Sequence, residues 1–109
     1  MGEGQNKEIL KKIISFKKKI KNKYSIERMI LFGSAARTNF QDFNDIDLII
    51  VTRKKHKRLK FLPKLYHEWH IKQKINFPVD FISFDSEAFE KLIGEVSIAS
   101  QALKEGIEI

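Results

Sequence analysis

Met29-Ile30-Leu31-Phe32-Gly33-Ser34-Ala35-Ala36-Arg37-Thr38-Asn39-Phe40-Gln41-Asp42-Phe43-Asn44-Asp45-Ile46-Asp47-Leu48-Ile49-Ile50-Val51 is the stretch that decides the fold. Two apolar runs, Met29 to Phe32 and Ile46 to Val51, flank a polar connection and have the pattern of buried strands. Gly33 and Ser34 close the first strand; Asp45 and Asp47 open the second. If the strands pair as antiparallel neighbours, these four residues share one end of the sheet. A Gly-Ser turn then faces two carboxylates.

Each residue type has a physical reason to be there. Gly33 has no Cβ, so a phosphate can approach the backbone, and Ser34 can cap a short helix and donate its hydroxyl to a phosphate oxygen. The N–H groups of Ser34, Ala35 and Ala36 would point at that anion, and Arg37 adds a planar cationic fork. Along a strand, residues two apart share a face, so Asp45 and Asp47 project together, with Cα atoms roughly 6.5 to 7 Å apart. Two such carboxylates can converge on a pair of cations about 3.5 to 4 Å apart.

Working outward, residues 1–6 read as a frayed end. Ile9, Ile13, Phe16 and Ile20 recur at helical spacing and predict an amphipathic helix from Lys7 to Lys23 with a Lys-rich outer face. After the second strand, residues 53–60 carry six cations and no acid, at the far end of that strand from Asp45. Leu62, Leu65, Tyr66 and Trp69 then mark a helix, with Pro63 near its first turn. His67, Glu68 and His70 lack the spacing that sets two ligands one turn apart, and read as surface or packing residues. Pro78 to Phe84 predicts a third strand. Its parallel pairing with the second strand, through a helical crossover over 53–77, would bring Asp80 to the edge that holds Asp45 and Asp47. A carboxylate set between apolar neighbours is costly to bury unless paired or coordinated, which favours a metal. Asp85 or Ser86 can cap a helix to Ile93, Gly94 breaks it, and a last helix from Val96 ends at Gly106 before a short tail, Ile107-Glu108-Ile109.

Composition bounds the function. A chain of 109 residues fits one domain over 1–109, too small for a separate substrate domain. With no Cys, a disulfide framework and a thiolate metal site are both excluded. No apolar run has the length of a membrane span or the form of a signal peptide, so the expected location is cytoplasmic. Residues 1–60 hold 16 Lys and Arg against 6 Asp and Glu, whereas residues 78–109 hold 2 against 7. The basic half is either a solvated face or a surface for a polyanion, whether nucleotide phosphate, RNA or acidic protein.

Gly33-Ser34-Ala35-Ala36-Arg37, then Asn44-Asp45-Ile46-Asp47-Leu48, then Pro78-Val79-Asp80-Phe81, resemble in order the motifs of the nucleotidyltransferase superfamily that includes DNA polymerase beta. The likeness spans essentially the whole chain, through Ala102-Leu103-Lys104-Glu105-Gly106-Ile107, and is closest to the minimal nucleotidyltransferases. Thr38 stands where the family commonly has Gly, and Asn44 where it commonly has Ser. The resemblance implies the α/β (α+β) nucleotidyltransferase fold: a small mixed sheet with an antiparallel pair, a parallel crossover and flanking helices. It also implies transfer of a nucleoside monophosphate, AMP from ATP, to a hydroxyl. Asp45, Asp47 and Asp80 would be catalytic and hold two Mg²⁺ ions, with Gly33, Ser34 and Arg37 binding nucleotide. Minimal nucleotidyltransferases are often paired with a HEPN-type toxin as its antitoxin, so a HEPN protein is the expected partner. The competing reading is a module that binds its partner, or RNA, without turnover.

Overall fold

Apolar runs covered on both faces build the sheet, and the computed structural model, which describes residues 3–95, 100 and 104–109, shows how it is ordered. The elements in chain order are α1 (Glu3–Ile20), β1 (Ile26–Phe32), α2 (Gly33–Arg37), β2 (Ile46–Thr52), α3 (Arg58–His67), β3 (Val79–Asp85), α4 (Ser86–Ile93) and β4 (Ile107–Glu108). The strands form one sheet in the order β3-β2-β1-β4. β1 and β2 run antiparallel with Phe32 opposite Asp47, and β2 and β3 run parallel with Asp47 opposite Asp80. Both pairings are those the sequence predicts.

Five local expectations are corrected. The backbone is helical from Glu3, where a frayed end was expected, and α1 stops at Ile20 rather than Lys23. There the chain turns through Ser25, whose φ is +53°, with Ile26 N donating to Lys21 O. β1 starts at Ile26, not Met29, because buried Ile26 continues the pairing past a bulge at Glu27. α3 starts at Arg58, which puts Pro63 in its second turn; the Leu59 carbonyl that loses a donor lies on an exposed residue, where water can serve it. Finally, Ile107-Glu108-Ile109 is no loose tail: β4 pairs antiparallel with β1, and Ile109 N donates to Met29 O. The helix expected from Val96 to Gly106 falls mostly outside the described residues; Ser100, Lys104 and Glu105 are helical. Among the described residues, no helix is long and apolar enough to cross a membrane.

The main core lies between the sheet and the layer of α1 and α3. Ile13, Phe16 and Ile20 of α1 are fully buried, as their spacing requires. Phe16 meets Trp69 edge-on, with ring centroids 5.0 Å apart, and stacks on Phe81 at 5.6 Å. Such pairs add about 0.5–1.5 kcal/mol each beyond the area they bury. Past His67 the helix widens into a π-helical turn, Glu68–Lys72, which carries Trp69 inward so that its Nε1 donates to Phe77 O at 2.9 Å. His67 and His70 are exposed, with His70 Nδ1 at 3.2 Å from Ile75 O, whereas buried Glu68 accepts from Lys23 Nζ at 2.7 Å and Tyr24 Oη at 3.1 Å.

A second clamp fixes the end of the sheet away from Asp47. Buried Thr52 of β2 donates its hydroxyl to Lys54 O, so it accepts from Nδ1–H of His56 at 2.8 Å; His56 Nε2 is then left to accept from the hydroxyl of buried Ser83 on β3, at 2.9 Å. Burial pushes the His56 pKa down from its usual value, opposed by the contact with Lys54 and the charge of Asp85 and reinforced by Arg58. The neutral ring is therefore the native one. A histidine held neutral contributes stability that is present above its unfolded pKa of about 6.5 and is lost as pH falls through the lower folded value. Urea midpoints should accordingly drop on acidification from neutral pH, and His56→Ala, less stable at neutral pH, should lose much of that drop. An unchanged pH slope in His56→Ala would exclude the clamp as its source.

Candidate active site

The end of β1 delivers the chain into Gly33 with φ +75°, a conformation other residues adopt only with strain. A Cβ there would lie 2.2 Å from Asp47 Oδ2. Gly33 is thus demanded twice, by its backbone and by the carboxylate filling the space a side chain would need. The sequence suggested only the approach of a phosphate.

From Gly33 the chain forms the single turn and a half of α2, whose first N–H groups have no partner within the helix. Phe32, not Ser34, occupies the capping position and supplies no side-chain bond, so the cap expected of Ser34 is not formed; Ser34 lies one residue inside the helix. Its carbonyl instead accepts from Thr38 Oγ1 at 2.7 Å, and the same hydroxyl accepts from Asp42 N at 3.1 Å. Thr38 therefore ties the loop to the turn, a role invisible in the sequence, where it stood out only as a departure from glycine. Asn39 and Phe40 follow with φ of +51° and +64°, and Phe40 N donates to Ala35 O at 2.7 Å. Buried Phe40 pins the connection against Phe43, which in turn meets Phe77.

Asp45 precedes β2, Asp47 lies on it, and Asp80 lies beside Asp47 on β3. One carboxylate oxygen from each lies within 4.8 Å of the others, with Asp45 and Asp47 half-buried and Asp80 exposed. The triad inferred from sequence is thus brought together. Burial first, then the charges of Asp45 and Asp80, push the Asp47 pKa up, while exposed Arg37 pulls it down. The charge of Arg37 thus acts on Asp47 against its two neighbouring carboxylates. The donor set is all carboxylate oxygen, close enough to share cations and repulsive without them, which suits Mg²⁺. A further contact escaped the sequence reading: Tyr66, recognised there only as a core position of α3, accepts from Phe81 N at 3.1 Å, next to Asp80 on the outermost strand. No periodicity argument reveals where a phenol oxygen points.

The model of the polymerase beta nucleotidyltransferase family matches residues 11–108. The chain belongs to that family. Among solved structures, the nucleotidyltransferase chain is similar to a Sulfolobus solfataricus protein described as a candidate nucleotidyltransferase, with a TM-score of 0.65, 18% identity, and coverage of 99% of this chain and 87% of that one. At that identity the likeness speaks for the fold. No functionally curated protein matches the sequence.

Two outcomes follow for this nucleotidyltransferase. Because the Asp47 pKa is raised, the ionised carboxylate opposes folding: the contribution of the protonated form is full below the ordinary Asp range and lost as pH rises through the raised value. Asp47→Asn should thus melt above wild type at neutral pH without divalent cations, whereas Mg²⁺ should raise the melting temperature of wild type alone. A variant that melts lower, or still responds fully to Mg²⁺, contradicts the electrostatic account. Gly33→Ala should lose about 1–3 kcal/mol from the positive φ and displace Asp47, seen as a lower urea midpoint with a weakened Mg²⁺ response.

Proposed function

We propose that this nucleotidyltransferase moves AMP from ATP to a hydroxyl on a HEPN-type partner protein, and so acts as that toxin's antitoxin. The transfer chemistry rests on one observation, the convergence of Asp45, Asp47 and Asp80 within 4.8 Å beside the Gly33-Ser34 turn; the nucleotide, the partner and the antitoxin role come from the resemblance to minimal nucleotidyltransferases. Gly33 and Ser34 would hold the triphosphate through the first turn of α2, and Arg37 would neutralise part of its charge. Asp45 and Asp47 would hold two Mg²⁺ ions and Asp80 one of them. Bound there, the cations would polarise the α-phosphate and offset the charge of the departing pyrophosphate. Asp80 would take the proton as the acceptor oxygen bonds to the α-phosphorus and the bond to the β-phosphate bridge breaks. As Asp80 is exposed on the outermost strand, the acceptor would reach it from outside the sheet. Orientation of that acceptor would fall largely to the partner, and well-oriented reactants can gain up to about 7–11 kcal/mol, so transfer without a partner should be slow.

The test is incubation with labelled ATP and Mg²⁺, alone and with the protein encoded beside this gene, followed by mass spectrometry. Label on a partner tyrosine is expected, reduced at least about a hundredfold in Asp45→Asn, Asp47→Asn or Asp80→Asn. Label confined to RNA 3′ ends would make the chain an RNA nucleotidyltransferase. Tight partner binding without transfer, surviving Asp45→Asn, would leave a non-catalytic binding module as the better account.

A further inference from the structure

Across the sheet from β3, the edge made by β4 borders a groove that the transfer chemistry does not use. It has a volume of about 500 Å³, with Leu10 and Ile14 of α1 on one wall and Ile107 and Ile109 on the other. Ile14 is 39% exposed, so a large apolar side chain on that wall faces water. Lys17, Lys18 and Lys21 line it as well. Lys17 Nζ is occupied, donating to the main-chain oxygen of Ile109, and the groove's acid, Glu108, is held by both Nε and Nη2 of Arg28. Lys18 and Lys21 have no carboxylate partner among the described residues. The groove is therefore lined by apolar side chains with two lysines free of carboxylate partners among the described residues.

We propose that this groove docks an acidic amphipathic helix of a partner protein. Leu10 and Ile14, one helical turn apart on α1, and Ile107 and Ile109, on β4 and just past it, line the groove, along which a helix can lay side chains at i, i+3 and i+4. Carboxylates flanking that stripe would meet Lys18 and Lys21. A second copy of this chain is the poorer occupant: it carries a net charge of +7 and would bring another Lys-rich α1 against the first. Strand addition is also disfavoured, because β4 offers an edge of only two residues. With strands spaced about 4.8 Å, β4 lies two spacings, roughly 10 Å, from β2 with Asp47 and three, roughly 14 Å, from β3 with Asp80, so an occupant of the β4 flank lies beside the carboxylates.

The inference concerns binding and stands whether or not AMP transfer does. The probes are fluorescein-labelled synthetic helices of Glu, Ala and Leu with one leucine stripe, a scrambled isomer without the stripe, and a Lys-for-Glu counterpart, read by fluorescence anisotropy. Wild type should bind the striped acidic helix and neither control. Binding should weaken at least about tenfold in Ile14→Asp, as for loss of a central anchor. Lys18→Glu with Lys21→Glu, an exposed pair whose change leaves the core untouched, should shift preference towards the Lys helix. Equal binding of the scrambled isomer would place the attraction in charge alone and overturn the proposal. So would failure of the striped helix to bind, indifference to both variants, or a dimer of this chain that Ile14→Asp dissociates.

Discussion

Register between β2 and β3 is the constraint from which the rest of the site descends. In a parallel pair, a slip of one residue sends every side chain to the other face. Asp80 would then point into the layer where Phe81 now packs on Phe16 and Trp69, and the triad could not form. The fold holds this register at both ends. Near the carboxylates, Ile46 N donates to Pro78 O and Trp69 draws in Phe77 O; at the other end, the ring of His56 bridges Thr52 to Ser83. Core packing thus acts at a distance on three polar residues that contribute nothing to it.

The basic stretch after β2 fits the same picture. Its first residues follow the end of β2 away from Asp47, as their place in the sequence requires. Yet the segment is not a loose run of cations. His56 reaches inward, and Arg58 donates to Ser83 O at 2.9 Å while its guanidinium covers Phe84, which leaves the neighbouring lysines exposed on a fixed support. Charge content alone does not distinguish the residues that anchor such a segment from those that decorate it.

What the sequence made legible was whatever depends on periodicity and on covalent neighbours. The pairing of β1 with β2, the parallel return of β3, the helix of Ile13 and Phe16, and the meeting of Asp45, Asp47 and Asp80 all follow from spacing. The Asp85 cap on Ala88 N was equally readable. Less legible were contacts set by the third dimension: Thr38 bridging Ser34 and Asp42, Tyr66 on Phe81 N, the π-helical turn that inserts Trp69. β4 escaped because two residues are too few to show a period. Gly33 was found for one reason and needed for another, since the space beside it belongs to Asp47, a neighbour that only tertiary structure supplies.

β4 also carries a consequence for the life of the molecule. The side-chain ion pair that braces it joins residues 80 positions apart, Arg28 and Glu108, so β1 must wait for β4 before that flank is covered. Until then, the N–H and C=O groups of Met29 and Leu31 that face β4 lie open as a template for another chain. Two residues of strand therefore act as a guard against aggregation. The quality of a preparation of this protein would depend on that short segment staying paired.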